Sequence, residues 1–392
     1  MFWGVSTSAV AGVGISPASD LSLWQRDGRI AHSGDGNGFA TRYRDDFSLL
    51  AEHGCSTLRY GLDWARIEPR PGEFDGDELE FLQSMLDAAR SNGINVWLGL
   101  HHDSIPGWFI DEGGFIDDRI RSRVWPRYVD VIAEAVGDQV AGWFPIHDIT
   151  GFAAGAYRRG TRPPGLRDPE MAAKAVRGMW LAWRDAWRLL RGGPPVATSI
   201  WLPLLFPADE TITATKRSTG VRDRTWTTAI RALRDGELDV PGLAVQEIAD
   251  LAGSADHVGV LWRGAISVNG QKTDDFLGQH GPYPVGSRTD DIGYAPWTQG
   301  LAAMFHELND ELPGRSFLLA GTSLDTTDEA WRTDIVGQTR QVCNELVADS
   351  IDLRGAFWSS FTDGYDHRRG TQGHTGLFDR DRNVRAALRE LT

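Results

Sequence analysis

Two short stretches bring together side chains that move protons. One is His101-His102-Asp103, the other His147-Asp148. Each closes an apolar run of buried-strand length, Asn95–His102 and Gly142–Ile149. Imidazole titrates near neutrality and a carboxylate can give or take a proton, so together they form a general acid/base set. Asp148 is the expected proton donor or acceptor, because a buried carboxylate is costly without a partner or a task. His102 or His147 would assist it. Arg59, at another strand end, would orient the substrate or stabilise a negative charge. The same residues also read as hydrogen-bonded scaffold, and for Arg59 that reading weighs equally. Histidines and aspartates at these positions, with Asp366 and His367, are also a ligand set for Zn²⁺, Mn²⁺ or Fe²⁺. No His-Glu-x-x-His or similar local motif accompanies them, so no metal is expected. No Gly-x-Gly-x-x-Gly follows a strand, which removes the signal for a dinucleotide. The lysines are Lys174, on a helical stretch, and Lys216 and Lys272, in loops, so a Schiff-base lysine is not expected either.

These residues need elements that carry them to one place. Short apolar or β-branched runs occur at Phe2–Ala9, Ser56–Trp64, Asn95–His102, Gly142–Ile149, Val196–Leu202, His257–Trp262, Ser316–Gly321 and Gly355–Ser359. Helical patterns alternate with them at Asp77–Ser91, Arg119–Val136, Pro169–Arg191, Arg222–Asp235, Trp297–Leu312 and Asp328–Ala348. Strand–helix alternation implies a parallel sheet, and eight repeats imply a closed (β/α)₈ TIM barrel. Ser16–Gly38 and Ser267–Gly293, rich in Gly, Ser and Asp, read as long βα loops over its mouth. No linker or repeat divides the chain, so residues 1–392 read as one domain. In such a barrel the carboxyl ends of the strands converge. Arg59, His101, His102, Asp103, His147, Asp148, Arg263, Asp366 and His367 would line or rim that cavity. Alternation along the strands sends His101 and His102 to opposite sides, and His147 and Asp148 likewise. Trp201, Trp262 and Trp358 would supply substrate contacts, although tryptophans also simply pack.

Bulk composition narrows the function classes. The net charge is −14 and no basic run occurs, so nucleic acid is not an expected partner. The longest apolar runs are strand-length, so no membrane span is expected. The opening Met1-Phe-Trp-Gly-Val-Ser lacks a basic region before an apolar core, so no secretory leader is expected. Cys55 and Cys343 are the only cysteines, too few for a disulfide framework and in keeping with the cytoplasm. The near-exclusive use of arginine over lysine fits a high-GC bacterial genome. The chain holds 16 tryptophans, more than ordinary usage, which suits either a packed core or aromatic platforms in a cleft.

Several segments in order resemble glycoside hydrolase family 1, the β-glucosidase family. Trp3-Gly4-Val5-Ser6-Thr7-Ser8-Ala9 is similar to the family's opening Trp-Gly-x-Ala-Thr-Ala-Ala, and Arg42-Tyr43-Arg44-Asp45-Asp46 to its Arg-Tyr-x-Glu-Asp. Asp63-Trp64-Ala65-Arg66-Ile67-Glu68-Pro69 resembles Ser-Trp-x-Arg-Ile-x-Pro, and Phe206-Pro207-Ala208-Asp209 resembles Tyr-Pro-Ala-Ser/Asp. Gly142 through His147-Asp148-Ile149 to Pro163-Pro164-Gly165 resembles the strand-four segment that ends Asn-Glu-Pro. The resemblance implies the barrel, and it places His102 on the family's inward histidine. It also implies a changed site. The proton-donor glutamate falls on Asp148, one methylene shorter. The nucleophile position falls on Gly321, which has no side chain; Asp325 lies four residues later. The family's first-strand Gln falls on Ala11, and its strand-six Asn-Tyr pair on Leu261 and Trp262.

Retaining glycosidases need two carboxylates, one to protonate and one to attack. The leading expectation is therefore a repurposed barrel enzyme, placed in bacterial natural-product metabolism. It would perform acid/base chemistry (cyclisation, isomerisation, elimination or dehydration) on a small, partly apolar, oxygenated molecule in an aromatic pocket. Two alternatives stand beside it: an inverting or substrate-assisted glycoside hydrolase, and a non-catalytic binding protein on a glycosidase scaffold. Substrate identity and oligomeric state are not encoded in any motif here.

Overall fold

The structure is a computed structural model and describes residues 1–270 and 280–391. Eight parallel strands form its centre: β1 (Phe2–Ser8), β2 (Thr57–Gly61), β3 (Asn95–His101), β4 (Gly142–Ile146), β5 (Ile200–Trp201), β6 (Val258–Trp262), β7 (Phe317–Thr322) and β8 (Leu353–Ser359). They are hydrogen-bonded in the order β4-β3-β2-β1-β8-β7-β6-β5. Val5 pairs with Leu58 of β2 on one side and Trp358 of β8 on the other. Between β4 and β5 the barrel closes through a parallel bridge of Trp143 with Val196. There the Trp143 N–H donates to Pro195 O (2.8 Å) and the Ala197 N–H to Trp143 O (2.8 Å). The result is the (β/α)₈ barrel that strand–helix alternation predicts. The strands read as continuous apolar runs because helices cover their outer faces and side chains fill the barrel within.

The lower barrel is filled by aromatics. Phe2, Trp97, Phe144 and Phe357 pack with Leu318, Ala320 and Leu261. Trp97 and Phe144 lie 5.4 Å apart between ring centroids, and Phe2 meets Phe357 edge-on at 5.5 Å. Gly355 makes room for this plug, since a Cβ there would stand 2.3 Å from the Phe2 ring. The plug gives the cavity above it a solid floor.

The outer helices start on side-chain caps. Asp75 accepts from the N–H groups of Asp77 and Glu78 ahead of Gly76–Ser91, and Asp117 caps Asp118–Val136. Asp168, followed by Pro169, caps Pro169–Leu190. Such caps satisfy backbone donors that a helix start leaves unpaired. Phe39–Glu52 is a further outer helix, which the sequence patterns above do not identify. Among the described residues no helix is long and apolar enough to cross a membrane. Cys55 and Cys343 are free and buried, and burial pushes both thiols up to about 12.

Four local expectations are corrected. The run Ser56–Trp64 leaves the strand at Gly61, because the Asp63 carboxylate caps a short helix, Trp64–Ile67, by accepting from the Ala65 N–H. The run Arg222–Asp235 is not one helix. It comprises the end of Ile212–Arg222, a wider turn at Asp223–Thr227, and Thr228–Asp235. The Thr225 and Thr228 hydroxyls donate to Val221 O (3.0 Å) and Asp223 O (3.0 Å), competing with the helical ladder. Ser16–Gly38 contains a helix, Asp20–Arg26. The stretch Ser267–Gly293 includes the end of a strand, Ala265–Val268, which pairs antiparallel with His280–Tyr283. Leu205–Pro207 adds to them as a third strand. Residues 271–279 of that stretch, with Lys272, lie outside the described residues.

Candidate functional site

A cavity of about 300 Å³ opens where the carboxyl ends of the strands meet. Every strand contributes to its lining: Ser6, Thr7 and Ser8 from β1, Arg59 from β2, His102 and Asp103 after β3, and His147 and Asp148 after β4. Trp201 from β5 follows, then Leu261 and Trp262 from β6, Gly321 and Thr322 from β7, and Ser359 from β8. The volume suits a small molecule.

His102 and Asp103 form one unit. His102 Nδ1 lies 2.8 Å from Asp103 Oδ2. Burial alone would raise the Asp103 carboxyl, but the His102 ring, its hydrogen bond, His367 and His147 outweigh it and hold Asp103 well below the usual carboxylate range. Ionised Asp103 therefore accepts from Nδ1–H and fixes that tautomer. The His102 side chain is 20% exposed, and its Nε2 is left to face the cavity. Asp103, expected as a substrate contact, has its Oδ2 engaged by the His102 ring.

His147 lies beside it. The two imidazoles stack with centroids 4.3 Å apart. Arg59 Nη2 donates to His147 Nδ1 (2.7 Å), and Ser199 Oγ stands 3.0 Å from the same nitrogen. A nitrogen that accepts from a guanidinium carries no proton, so the ring proton is on Nε2. Burial, then the neighbouring His102 and Arg59, hold His147 well below the usual imidazole range, and it is neutral. Strand alternation sends His147 away from the cavity, and the structure corrects this: both His147 and Asp148 line it. Asp148 has a left-handed backbone (φ 47°), which breaks the alternation at that residue.

The Asp148 carboxylate caps the helix Ile149–Ala153, its Oδ1 accepting from the Gly151 N–H at 3.0 Å. Position 151 must be glycine for this, because a Cβ there would stand 2.1 Å from Asp148 Oδ2. His101 is fully buried on the opposite side of β3. Its ring packs edge-on against Phe152 (4.8 Å) and Phe115 (5.7 Å), and burial with Arg162 nearby lowers its pKa to about 3.

Arg59 is 2% exposed. Its Nη1 donates to Ala320 O (2.6 Å), its Nη2 to Ser199 Oγ (3.0 Å), and its guanidinium sits over the Phe144 ring at 4.3 Å. Burial lowers its pKa to about 9, against a partial offset from Asp103. Gly321 lies opposite, at an irregularity in the β7–β6 pairing. A Cβ on it would meet Leu261 Cδ2 at 3.0 Å, Ser359 Oγ at 3.3 Å and Arg59 Nη1 at 3.8 Å. Asp325 also lines the cavity but is already engaged. It pairs with Arg369, and its Oδ1 accepts from the His374 N–H at 2.7 Å.

The remaining expected residues divide. Trp201, Trp262 and Arg263 line the cavity, as do Asp366 and His367. Asp366 is held by Arg368 through both carboxylate oxygens (3.2 and 3.1 Å). Burial, then Arg162, lowers the His367 pKa to about 4. Trp358 is not part of the lining. It is fully buried on the outer side of β8, where its indole N–H donates to Thr375 O (3.2 Å), because its neighbours Phe357 and Ser359 take the inward positions. The expectation of a mainly aromatic pocket is also corrected. Trp201, Leu261 and Trp262 make one apolar wall, whereas Arg159, Arg162, Arg263, Arg368 and Arg369 make the rest strongly charged. Ser199, Arg159 and Arg162 escaped the sequence reasoning. Ser199 carries no motif, while Arg159 and Arg162 lie in the glycine-punctuated loop that the sequence did single out. Among the described residues no three His, Cys, Asp or Glu side chains are grouped to hold a metal ion.

The model of glycosyl hydrolase family 1 matches residues 27–225. The chain is 28% identical over 182 residues to Beta-glucosidase 11 of Arabidopsis thaliana, covering 45% of this chain and 35% of that one. Against Beta-glucosidase 1B of Phanerodontia chrysosporium it is 22% identical over 437 residues, 94% of this chain and 79% of that one. The chain spans about a third of the length of the plant relatives it matches. Among solved structures it is similar to the beta-glycosidase from Pyrococcus horikoshii. The TM-score is 0.91 at 22% identity, over 99% of this chain and 92% of that one. The family 1 b-glucosidase from Thermotoga maritima gives a TM-score of 0.86 at 17% identity, over 99% and 95%.

Proposed function

The chain belongs to glycosyl hydrolase family 1, and from that premise we propose that it is an enzyme in which the family's covalent route has been replaced by acid/base chemistry on a small molecule. The observation that carries this reading is Gly321: the β7 end offers no carboxylate to attack an anomeric carbon, and Leu261 crowds the place where one would stand. Ionised Asp103 holds His102 with Nε2 free as the base, and Asp148 stands on the same cavity as the acid. Neutral His147 offers Nε2–H as a hydrogen-bond donor. A positioned acid and base supply roughly 10²–10⁴-fold each. Such a set suits isomerisation, elimination, dehydration or cyclisation of a partly apolar, oxygenated substrate that lies against Trp201, Leu261 and Trp262. No residue of the set requires a bound metal or organic cofactor for these steps.

Inverting hydrolysis is the second reading, favoured by one observation: Asp325 shares the cavity with Asp148. The ties of Asp325 to Arg369 and the His374 N–H count against its acting as the base for a water. Nitrophenyl glycosides separate the two readings. Incubated with the purified protein, they should release no nitrophenol above background, and 2-deoxy-2-fluoroglycosides should leave its mass unchanged. Steady nitrophenol release that disappears in Asp148→Asn would restore sugar cleavage and sink the acid/base reading.

A further inference from the structure

The charges around the cavity do not balance within the protein. Arg369 is paired with Asp325 and Arg368 with Asp366. Arg59, Arg159, Arg162 and Arg263 also line the cavity, and among the described residues none of them makes an ion pair. Asp103 and Asp148 face them from the lining, engaged by His102 and the Gly151 N–H, and buried Asp20, outside the lining, faces Arg162. The excess is positive in a chain whose net charge is −14. It is most costly at Arg59, which is 98% buried and, among the described residues, meets a carbonyl, a hydroxyl, a neutral imidazole and a ring face, with Asp103 a partial offset. A cation removed from water without a counter-charge is strongly unfavourable. Two buried donors also lack acceptors among the described residues: Arg59 Nε and the Trp201 indole N–H. Gly321 leaves backbone alone between β7 and Arg59, so no side chain of β7 supplies the missing charge.

We propose that the ligand of this cavity is an anion, a small carboxylate whose charge sits against Arg59, with the Trp201 N–H and Arg263 as further donors and its apolar part against Leu261 and Trp262. This deepens the proposed function and rests on its reading of the cavity as a small-molecule site. The ligand brings the carboxylate that the strand end lacks. A carboxylate accepts charge-assisted hydrogen bonds from a guanidinium in a geometry that a neutral amide cannot match. A neutral isostere would leave the same donors unsatisfied.

The test is a thermal-shift and calorimetric titration of the full chain with acetate, benzoate and 3-phenylpropanoate against acetamide, benzamide and 3-phenylpropanamide, all at one ionic strength set with sodium chloride. At least one carboxylate should bind about tenfold or more tightly than its amide, the loss expected when one charge-assisted hydrogen bond is removed. Gly321→Glu keeps Arg59 and places a carboxylate on the chain beside it. The added Cβ meets the movable end of Leu261 and the Ser359 hydroxyl, which must give by a few tenths of an ångström. This variant should remain folded and lose about tenfold or more in carboxylate affinity. Equal response to acids and amides, or to sodium chloride alone, would overturn the proposal. Unchanged carboxylate affinity in a folded Gly321→Glu would overturn the placement at Arg59. Nitrophenol release by the wild type would instead defeat the proposed reaction, and the titration would read anion binding independently of it.

Discussion

Single side chains decide the protonation pattern of the site. His147 is neutral because it is buried beside Arg59 and His102, and its Nδ1 accepts from the guanidinium. Its folded pKa lies below the unfolded value, so protonation is opposed as pH falls. Nitrogen-15 NMR at pH 5.5 should therefore find it still unprotonated, as the Nε2–H tautomer, where an exposed histidine is mostly charged. A doubly protonated His147 at that pH would refute the assigned hydrogen bond. Gly151 is the second test at this scale. In Gly151→Ala the new methyl would overlap the Asp148 carboxylate. The cap must break or the helix must shift, at a cost of about 1–3 kcal/mol. Any activity that depends on Asp148 should fall with it, in parallel with Asp148→Asn. Full stability by chemical denaturation would show that the cap is absent.

Whole elements respond to buried charge. The helix Asp20–Arg26 docks on the loop after β3, where Asp20 Oδ1 accepts from the Ile105 N–H (3.1 Å) and the Asp20 N–H donates to Ile105 O (2.9 Å). Asp20 is 3% exposed, and burial raises its pKa to about 7 against the opposing pull of Arg162. A raised carboxyl binds its proton more tightly in the folded state. Its contribution is thus fully present below the unfolded value near 4 and is lost as pH rises to about 7. Asp20→Asn keeps an oxygen for the Ile105 N–H and removes the ionisation. The variant should match the wild type near pH 4 and exceed it by on the order of 2–4 kcal/mol at pH 8. Urea midpoints at the two pH values give the comparison, and identical pH slopes would contradict it.

At the scale of the molecule, the end of the chain is fastened to its beginning. Arg382 Nε and Nη2 donate to the two Asp46 oxygens, both at 2.8 Å, with the side chains 6% and 2% exposed. The pair joins the segment after β8 to the helix Phe39–Glu52, and Arg382 also donates to Asn37 O (2.7 Å). Removing one partner leaves a buried charge without its counter-ion. Asp46→Ala should lower the unfolding free energy by about 3–5 kcal/mol. A charge-neutral double variant, Asp46→Leu with Arg382→Met, should recover part of that loss. A loss under about 1 kcal/mol for the single variant would place the pair in water instead.

The sequence by itself determined the barrel, because eight apolar runs separated by capped helical patterns report local periodicity, and periodicity is a property of neighbours along the chain. It also named most of the cavity wall, since strand ends in such a barrel converge wherever the strands are found. Three features lay beyond it. His147 and Asp148 share the cavity although adjacent, since the left-handed backbone of Asp148 departs from the alternation that a strand pattern assumes. Trp358 turns outward because Phe357 and Ser359 occupy the interior. The unbalanced charge of Arg59 depends on Ala320, Ser199 and His147, which are 261, 140 and 88 residues away along the chain. Contacts over such separations, and the burial that makes their charges costly, exist only once the barrel has closed.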